Sequence, residues 1–393
     1  MTFDLRGQAA IVGVGSSAFA RRLPDSASSL AAAALRGALD DAGLHRDDVD
    51  GMITHMGTPL GVDYDQFAAY AGLNLRYAAQ FWLHGRFVTL SLQTAAMAIA
   101  CGMADTVACV TSVKFLSVRG ALGGEGDHEG LREGGGSHGE DPAFGLTSPG
   151  GGAALFAQRY MHEYGVGTEI LRDVVMSSRA HAALNPAAIR REPFDWEAYA
   201  NEPGFIDPLR RADCAQINDA AIVLILTSAD RARDLAKSPV YVRGMQGIRG
   251  GPDEFIFAPR GFGIAQQGVT DWPAEKGPRQ AFEMAGVSNA DIDGFGTYDA
   301  FSPLVIGALE RHRYCDPGSA HRFIADGQIA PGGSLPVNTS GGLLSEAHVG
   351  GWNTIAEMVR QMRGEAGERQ MPRADLMHWG TMWGDSVILG NEA

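Results

Sequence analysis

Ala38-Leu39-Asp40-Asp41-Ala42-Gly43-Leu44, followed at Asp48-Val49-Asp50-Gly51-Met52, returns as Ala281-Phe282-Glu283-Met284-Ala285-Gly286-Val287, followed at Asp291-Ile292-Asp293-Gly294-Phe295. Residue 38 matches 281 and residue 52 matches 295, a constant offset of 243 with no gap between. Each copy reads as the end of a helix, a glycine that stops it, a loop of fixed length, Asp-x-Asp-Gly and the start of a strand. So many features at one spacing are hard to produce by chance, and the chain is read as a duplicated α/β unit.

Upstream, Ala9-Ala10-Ile11-Val12-Gly13-Val14-Gly15 predicts a short buried strand that leaves the core through a glycine turn. Gly13-Val14-Gly15-Ser16-Ser17-Ala18 fits the dinucleotide pattern GxGxxG/A. Arg21, Arg22 and Pro24 follow where a helix would have to pack directly behind the turn, so that reading fails on context. Ser28 to Ala42 predicts a helix with Ser28 or Ser29 as its N-cap and Gly43 as its stop. A second correspondence joins the helical runs Ser91 to Ala100 and Thr354 to Met362, which end at Gly102 and Gly364 with an offset of 262. Each is entered through a loop bearing histidine and glycine, His84-Gly85-Arg86 in the first half and His348-Val349-Gly350-Gly351 in the second. Two equivalent helices of a pseudo-two-fold protein can turn their N-termini into one shared site.

Ser117 to Gly152 is dense in glycine and lacks periodicity, which predicts a long surface loop or lid. Helices are expected over Ala153 to Tyr164 and Thr168 to Leu184, before Asn185-Pro186 breaks the pattern and an irregular stretch runs to Cys214. Arg172, Arg179, Arg190, Arg191, Arg210 and Arg211 gather in this region, either to meet the phosphates of an acidic cofactor or as a solvated basic face. Asn218 to Leu226 reads as a buried strand, Ser228 to Leu235 as a short helix, and Pro239 to Gly244 as the strand opening the second half. The halves are then residues 1–238, with a loop domain inserted at about 115–215, and residues 239–393.

Across 393 residues, 45% hydrophobic and 20% charged, the composition is that of a globular protein with a well-buried core. A net charge of −14 argues against nucleic acid or an anionic membrane as the main partner. Cys101, Cys109, Cys214 and Cys315 have no ligand spacing, which favours reduced thiols over a disulfide framework or a zinc site. Met1 to Arg6 reaches polar residues with no apolar signal-like run, and no stretch approaches the roughly 18 apolar residues of a membrane span. A cytoplasmic location without membrane insertion is expected.

The second half also carries Asn338-Thr339-Ser340-Gly341-Gly342-Leu343-Leu344-Ser345-Glu346-Ala347-His348-Val349-Gly350-Gly351-Trp352. Its glycine pairs remove Cβ obstacles where a backbone approaches something closely, with His348 at the mouth. An ordinary Gly-rich turn with a hydrogen-bonded histidine is the competing reading. The stretch joins Ala10 to Gly15, the duplicated unit, Tyr160-Met161-His162-Glu163-Tyr164-Gly165, Arg179-Ala180-His181-Ala182, Asn185-Pro186 and Asp207-Pro208-Leu209-Arg210. Together they resemble the thiolase superfamily, specifically its sterol-carrier-protein-type thiolase-like branch, over nearly the whole chain. The resemblance implies an α/β thiolase-like fold: two similar βαβαβαββ halves stacked in five layers, with a loop domain inserted in the first. It also implies an active site where the two equivalent helices converge, and acyl-CoA as the substrate.

A thiolase forms a thioester on a cysteine at the N-terminus of the first-half helix, where the dipole favours thiolate. Counted back from Gly102 along the family pattern, that place is held by Gly85, flanked by His84 and Arg86. The second thiolase cysteine has no counterpart in His378-Trp379-Gly380-Thr381-Met382-Trp383-Gly384, where His378 falls nearest its position. The family's Asn-x-Ala-Phe motif reads Tyr298-Asp299-Ala300-Phe301, and its Gly-His motif keeps His348. Similar cysteine-less proteins are aldolases of CoA-activated steroid side chains, which implies retro-aldol cleavage to a ketone and a short acyl-CoA. In them a tyrosine often stands at the place of His348, and this departure leaves open which residue is acid and which base. An ordinary histidine pKa of about 6.5 suits a base better than a tyrosine's of about 10, which favours His348 as base or oxyanion partner and Tyr298 as proton donor.

Asp299, His84, Gly85, His378, Asn338 and Gly380 are expected to support that pair. The resemblance further implies a homodimer paired with a small OB-fold, zinc-ribbon protein of DUF35 type. It implies no metal and no cofactor beyond the CoA of the substrate. Two other readings compete: an acyltransferase without a covalent intermediate, and a non-catalytic acyl-CoA or lipid carrier or scaffold subunit.

Overall fold

The computed structural model describes residues 5–58, 60–81, 88–117, 149–247 and 279–393. In the first half β1 (Ala9–Ser16), α1 (Ala27–Ala42), β2 (Gly51–His55), α2 (Tyr64–Ala71), β3 (Tyr77–Phe81), α3 (Val88–Ala100) and β4 (Thr106–Lys114) follow one another. The inserted region carries α4 (Pro149–Tyr164), α5 (Glu169–Ala183), α6 (Trp196–Asn201) and a hairpin of β5 (Gly204–Ile206) with β6 (Leu209–Arg210). Next come β7 (Asp219–Ser228), α7 (Ala229–Ala232), β8 (Val240–Gln246), α8 (Gln280–Ala285), β9 (Gly294–Gly296), α9 (Ser302–Arg311) and α10 (Ala320–Ala325). The chain ends with α11 (Gly342–Ser345), α12 (Trp352–Met362), β10 (Leu376–Gly380) and β11 (Ser386–Gly390).

Among the described residues nine strands share one mixed sheet in the order β3-β2-β4-β7-β1-β8-β11-β10-β9. The sequence duplication appears here as a mirror: β2-β4-β7-β1 on one side, β9-β10-β11-β8 on the other. β2 runs parallel to β4 as β9 does to β10, and β7 and β11 are each antiparallel to both neighbours. The two half-sheets join through β1 and β8, where Ala10 faces Tyr241 and Ile11 faces Val240. α1 covers the outer face of the first half-sheet and α8 that of the second, while α3 and α12 lie between and touch strands of both halves. That arrangement makes five layers.

The repeated Asp-x-Asp-Gly has a physical reason at each position. Asp48 accepts the His45 N–H at 2.8 Å and Asp291 the Ser288 N–H at 2.8 Å, so each caps a single 3₁₀ turn. Asp50 accepts the N–H groups of Asp105 and Thr106, stapling the start of β2 to that of β4. Asp293 does the same for β9 and β10, accepting the N–H groups of Asp375 and Leu376. At the glycine, a Cβ on Gly51 would lie 2.8 Å from the Ala104 methyl, and one on Gly294 2.8 Å from the Met377 methyl.

Strand alternation divides the core. Ile11, Ile53, Val107 and Cys109 face the central helices, whereas Ala10, Val12, Met52, Ala108 and Val110 pack with Leu30, Ala34, Leu35 and Ala38 of α1. Gly13 and Gly15 are not in a turn, as the sequence suggested, but inside β1. A Cβ on Gly15 would stand 1.9 Å from the Ala34 carbonyl oxygen, and one on Gly244 of β8 is equally close to the Ala281 carbonyl oxygen of α8. Both halves use glycine to bring their outer helix against the sheet. Gly15→Ala should therefore cost about 3 kcal/mol or leave the protein insoluble, read by denaturant melts beside Gly37→Ala, whose added methyl meets nothing closer than 3.6 Å.

Other boundaries moved. The α1 cap is Ser26, whose hydroxyl accepts the Ser29 N–H at 3.1 Å, not Ser28 or Ser29. Pro149 to Gly152 belongs to α4 and not to a loop, and its three glycines are buried; residues 118–148 of the expected lid lie outside the described residues. No helix among the described residues is long and apolar enough to cross a membrane.

Candidate active site

Tyr298 sits between the end of β9 and the start of α9, on a segment tied down at every step. The Asn338 amide grips Thr297, its Oδ1 accepting the N–H at 2.8 Å and its Nδ2 donating to the carbonyl at 3.1 Å. Ala300 accepts the Ala215 N–H at 2.8 Å, and Ser302 donates its hydroxyl to Asp213 at 2.7 Å. Asp213 is buried and also receives the Tyr199 hydroxyl and the Arg210 N–H, so the inserted region anchors the first turn of α9.

His348 is delivered by the glycine turn before it. Gly341 and Gly342 have φ of 99° and 59°, open to glycine at little cost. The Asp299 carboxylate takes the N–H groups of Leu343 at 2.8 Å and Leu344 at 3.4 Å; a Cβ on Gly342 would lie 2.2 Å from that carboxylate. From the inserted region, Ser178 donates to the Gly341 carbonyl at 2.7 Å, and Ile189 and Arg190 donate their N–H groups to Glu346 and Ser345. Glu346 accepts from Asn185 at 2.9 Å, Ser340 at 2.6 Å and Asn353 at 2.8 Å. From residue 335 to 359 every side chain is buried except His348, which keeps an accessible edge.

The two residues meet: the Tyr298 hydroxyl lies 3.1 Å from His348 Nε2. Phe115 packs on the histidine ring at 5.1 Å between centroids, and Trp383 meets the Tyr298 ring edge-on at 6.1 Å. The His348 N–H donates to Asn218 Oδ1 at 2.6 Å. Burial lowers the His348 pKa to about 4, so the imidazole is neutral at neutral pH. A neutral imidazole against a phenol is a pair in which either partner can donate and the other accept, so a proton can pass between them. Burial, opposed by the backbone donors, raises Asp299 to about 6; burial and the Glu357 charge raise Glu346 to about 7.

Asp299 and Asn338 thus hold the backbone beneath the pair. Asp299→Ala would strand the buried Leu343 N–H and is expected to cost about 2–4 kcal/mol in urea melts, with activity lost in proportion to misplacement of His348. His378 is not brought to the pair: it is buried between the Tyr314 hydroxyl and Ser386 Oγ, each 2.7 Å away, with Phe282 against its ring. Gly380 backs onto His312, where a Cβ would come within 2.4 Å of the ring. His84 and Gly85 lie outside the described residues.

The inserted arginines serve neither of their expected roles throughout. Arg179 is buried over Phe194 at 4.9 Å, its pKa lowered by burial to about 9, Arg190 reaches the Leu344 carbonyl, and Arg172 pairs with Asp173 at 2.6 Å. Phe115, Asn218 and Trp383 escaped sequence reasoning. Only Asn218 left a trace, as a polar pair with Asp219 heading an apolar strand. The described cysteines offer no nucleophile at the pair: burial pushes the thiols of Cys214 and Cys315 up to about 12 and Cys109 higher, and Cys101 is exposed just beyond α3.

A duplicated five-layer fold is the architecture of a thiolase-class protein, and no cysteine bonds to the Tyr298–His348 pair among the described residues. Residues 264–388 match the family described as thiolase C-terminal domain-like. The chain is 37% identical over 374 residues to the 17-hydroxy-3-oxo-4-pregnene-20-carboxyl-CoA lyase of Mycobacterium tuberculosis, covering 92% of each. It is 35% identical over 373 residues to the steroid side-chain-cleaving aldolase of Thermomonospora curvata, covering 92% of this chain and 91% of the relative. Among solved structures it resembles the Ltp2–ChsH2(DUF35) aldolase with a TM-score of 0.87 and 33% identity, over 99% of both chains. The chain belongs to the thiolase superfamily, in its sterol-carrier-protein-type thiolase-like branch.

Proposed function

We propose that this chain is a carbon–carbon lyase that cleaves the Cα–Cβ bond of a β-hydroxyacyl-CoA bearing a bulky, steroid-type group. The observation that carries this reading is the Tyr298 hydroxyl 3.1 Å from His348 Nε2, a pair able to move a proton, with no cysteine partner beside it among the described residues. The identities of 37% and 35% to a lyase and an aldolase of steroid side chains point the same way.

The chemistry balances without an acyl-enzyme. A base takes the β-hydroxyl proton, the C–O⁻ closes to a ketone, and the Cα–Cβ electron pair flows onto the thioester as an enolate, which is then protonated at Cα. Neutral His348 is the base, and Tyr298 passes a proton to Cα or back through the pair. The CoA belongs to the substrate, and no further cofactor or metal takes part. A homodimer, in the cytoplasm, with a DUF35-type partner is the working assembly on this reading; the Ltp2–ChsH2(DUF35) likeness supports the partner.

The test is incubation of the chain, alone and with such a partner, with a tertiary β-hydroxyacyl-CoA. Ketone and shorter acyl-CoA should appear in equal amounts. Exchange of labelled free CoA into acyl-CoA without ketone would instead identify an acyltransferase.

A further inference from the structure

Asn218 stands immediately before β7 and is completely buried, 0% exposed. Its Oδ1 accepts the His348 backbone N–H at 2.6 Å, and that contact fixes how the amide is turned, since only the oxygen can receive an N–H. The Nδ2 group on the same carbon finds no hydrogen-bond partner among the described residues. Buried amide donors are ordinarily paired, and one held open in a native fold marks a place that a ligand can complete.

The surroundings leave little slack. Asp219, the next residue, accepts the Leu23 N–H at 3.0 Å, the Ser117 hydroxyl at 2.6 Å and the Lys114 ammonium at 2.9 Å. Lys114 ends β4, and the residue after it is the Phe115 that packs on His348. Asn218 is therefore fixed from one side by the Asp219 cluster and from the other by the backbone of the histidine.

Tyr298 and His348 are bonded to one another, so an oxygen that gains charge during cleavage needs a donor that is not already engaged. Resting on the lyase reading, we infer that Asn218 Nδ2 donates to the thioester carbonyl oxygen of the bound acyl-CoA. The bond strengthens as that oxygen becomes the enolate oxygen, and the same amide holds the backbone of His348 through its other end.

The test separates these two ends of the amide. Asn218→Asp keeps an oxygen for the His348 N–H and removes the free donor; Asn218→Ala removes both. Each folded variant is titrated calorimetrically with an acyl-CoA thioester lacking the β-hydroxyl, and with the matching CoA thioether in which a methylene replaces the carbonyl. The wild type should prefer the thioester by about fivefold, and the preference should vanish in whichever variant folds, or in both. An unchanged preference overturns the inference, as does an equal loss of affinity for both ligands, which a purely structural role would produce. Neither ligand can be cleaved, so the result stands whether or not the lyase reading holds. In the cleavage assay Asn218→Asp should lower kcat by about 10²- to 10³-fold while KM rises by no more than about fivefold.

Discussion

Tyr298→Phe is expected to lower kcat for cleavage by about 10²- to 10⁴-fold, the usual contribution of a positioned acid or base. The substitution removes one oxygen and leaves the ring, with its packing on Trp383, in place. The loss of its bond to His348 should cost only about 1 kcal/mol of stability, so the melting curve barely moves while turnover collapses. Steady-state kinetics beside a thermal melt makes the comparison. A variant with near-wild-type kcat would remove Tyr298 from the chemistry, whatever its effect on KM.

His348→Ala should be comparably severe in kcat, and its wild-type counterpart carries a pH signature. Burial holds the imidazole near a pKa of about 4, against 6.5 for an ordinary histidine. The neutral base is then available across the neutral range, and His348 itself should add no acid limb to kcat/KM between pH 7.5 and about 5; a loss in that window belongs to Asp299 or Glu346, raised to about 6 and about 7. An acid limb at 6.5 that persists in Asp299→Asn and Glu346→Gln would mean that His348 titrates as an ordinary histidine, against the effect of its burial. The same shift acts on stability with a definite sign. The unfolded chain binds the proton first as pH falls, so stability present above 6.5 is lost on the way to 4. His348→Ala removes that penalty, and the variant should gain on the wild type in chemical denaturation as pH drops through this window.

The fold was legible because its decisive residues act locally. Asp48 and Asp291 cap their own turns, Asp50 and Asp293 staple neighbouring strand starts, and the glycine after each meets close packing, so the same few residues had to recur in both halves. What depends on tertiary packing was misread. Gly13 and Gly15 look like a turn until the Ala34 and Ala38 carbonyls are seen lying over them, and Pro149 to Gly152 looks like loop until it is buried as a helix.

The site divides in the same way. The glycine turn pointed to His348, and a motif pointed to Tyr298, but their 3.1 Å contact spans 50 residues. Asn218 reaches His348 across 130 residues and Asn185 reaches Glu346 across 161, distances over which no periodicity speaks. His378 was drawn toward the site by its neighbours in sequence; in the fold its polar bonds go to Tyr314 and Ser386 and it is wholly buried.

On the lyase reading the chain cleaves a carbon–carbon bond by proton transfer with no acyl-enzyme. The most direct test is a single turnover in D₂O of a tertiary β-hydroxyacyl-CoA, with the products and the intact protein both weighed by mass spectrometry. Ketone without label, a short acyl-CoA carrying one deuterium at Cα, and protein of unchanged mass throughout are expected. A protein adduct with the mass of the acyl group, or acyl transfer to free CoA without ketone, would contradict that reading.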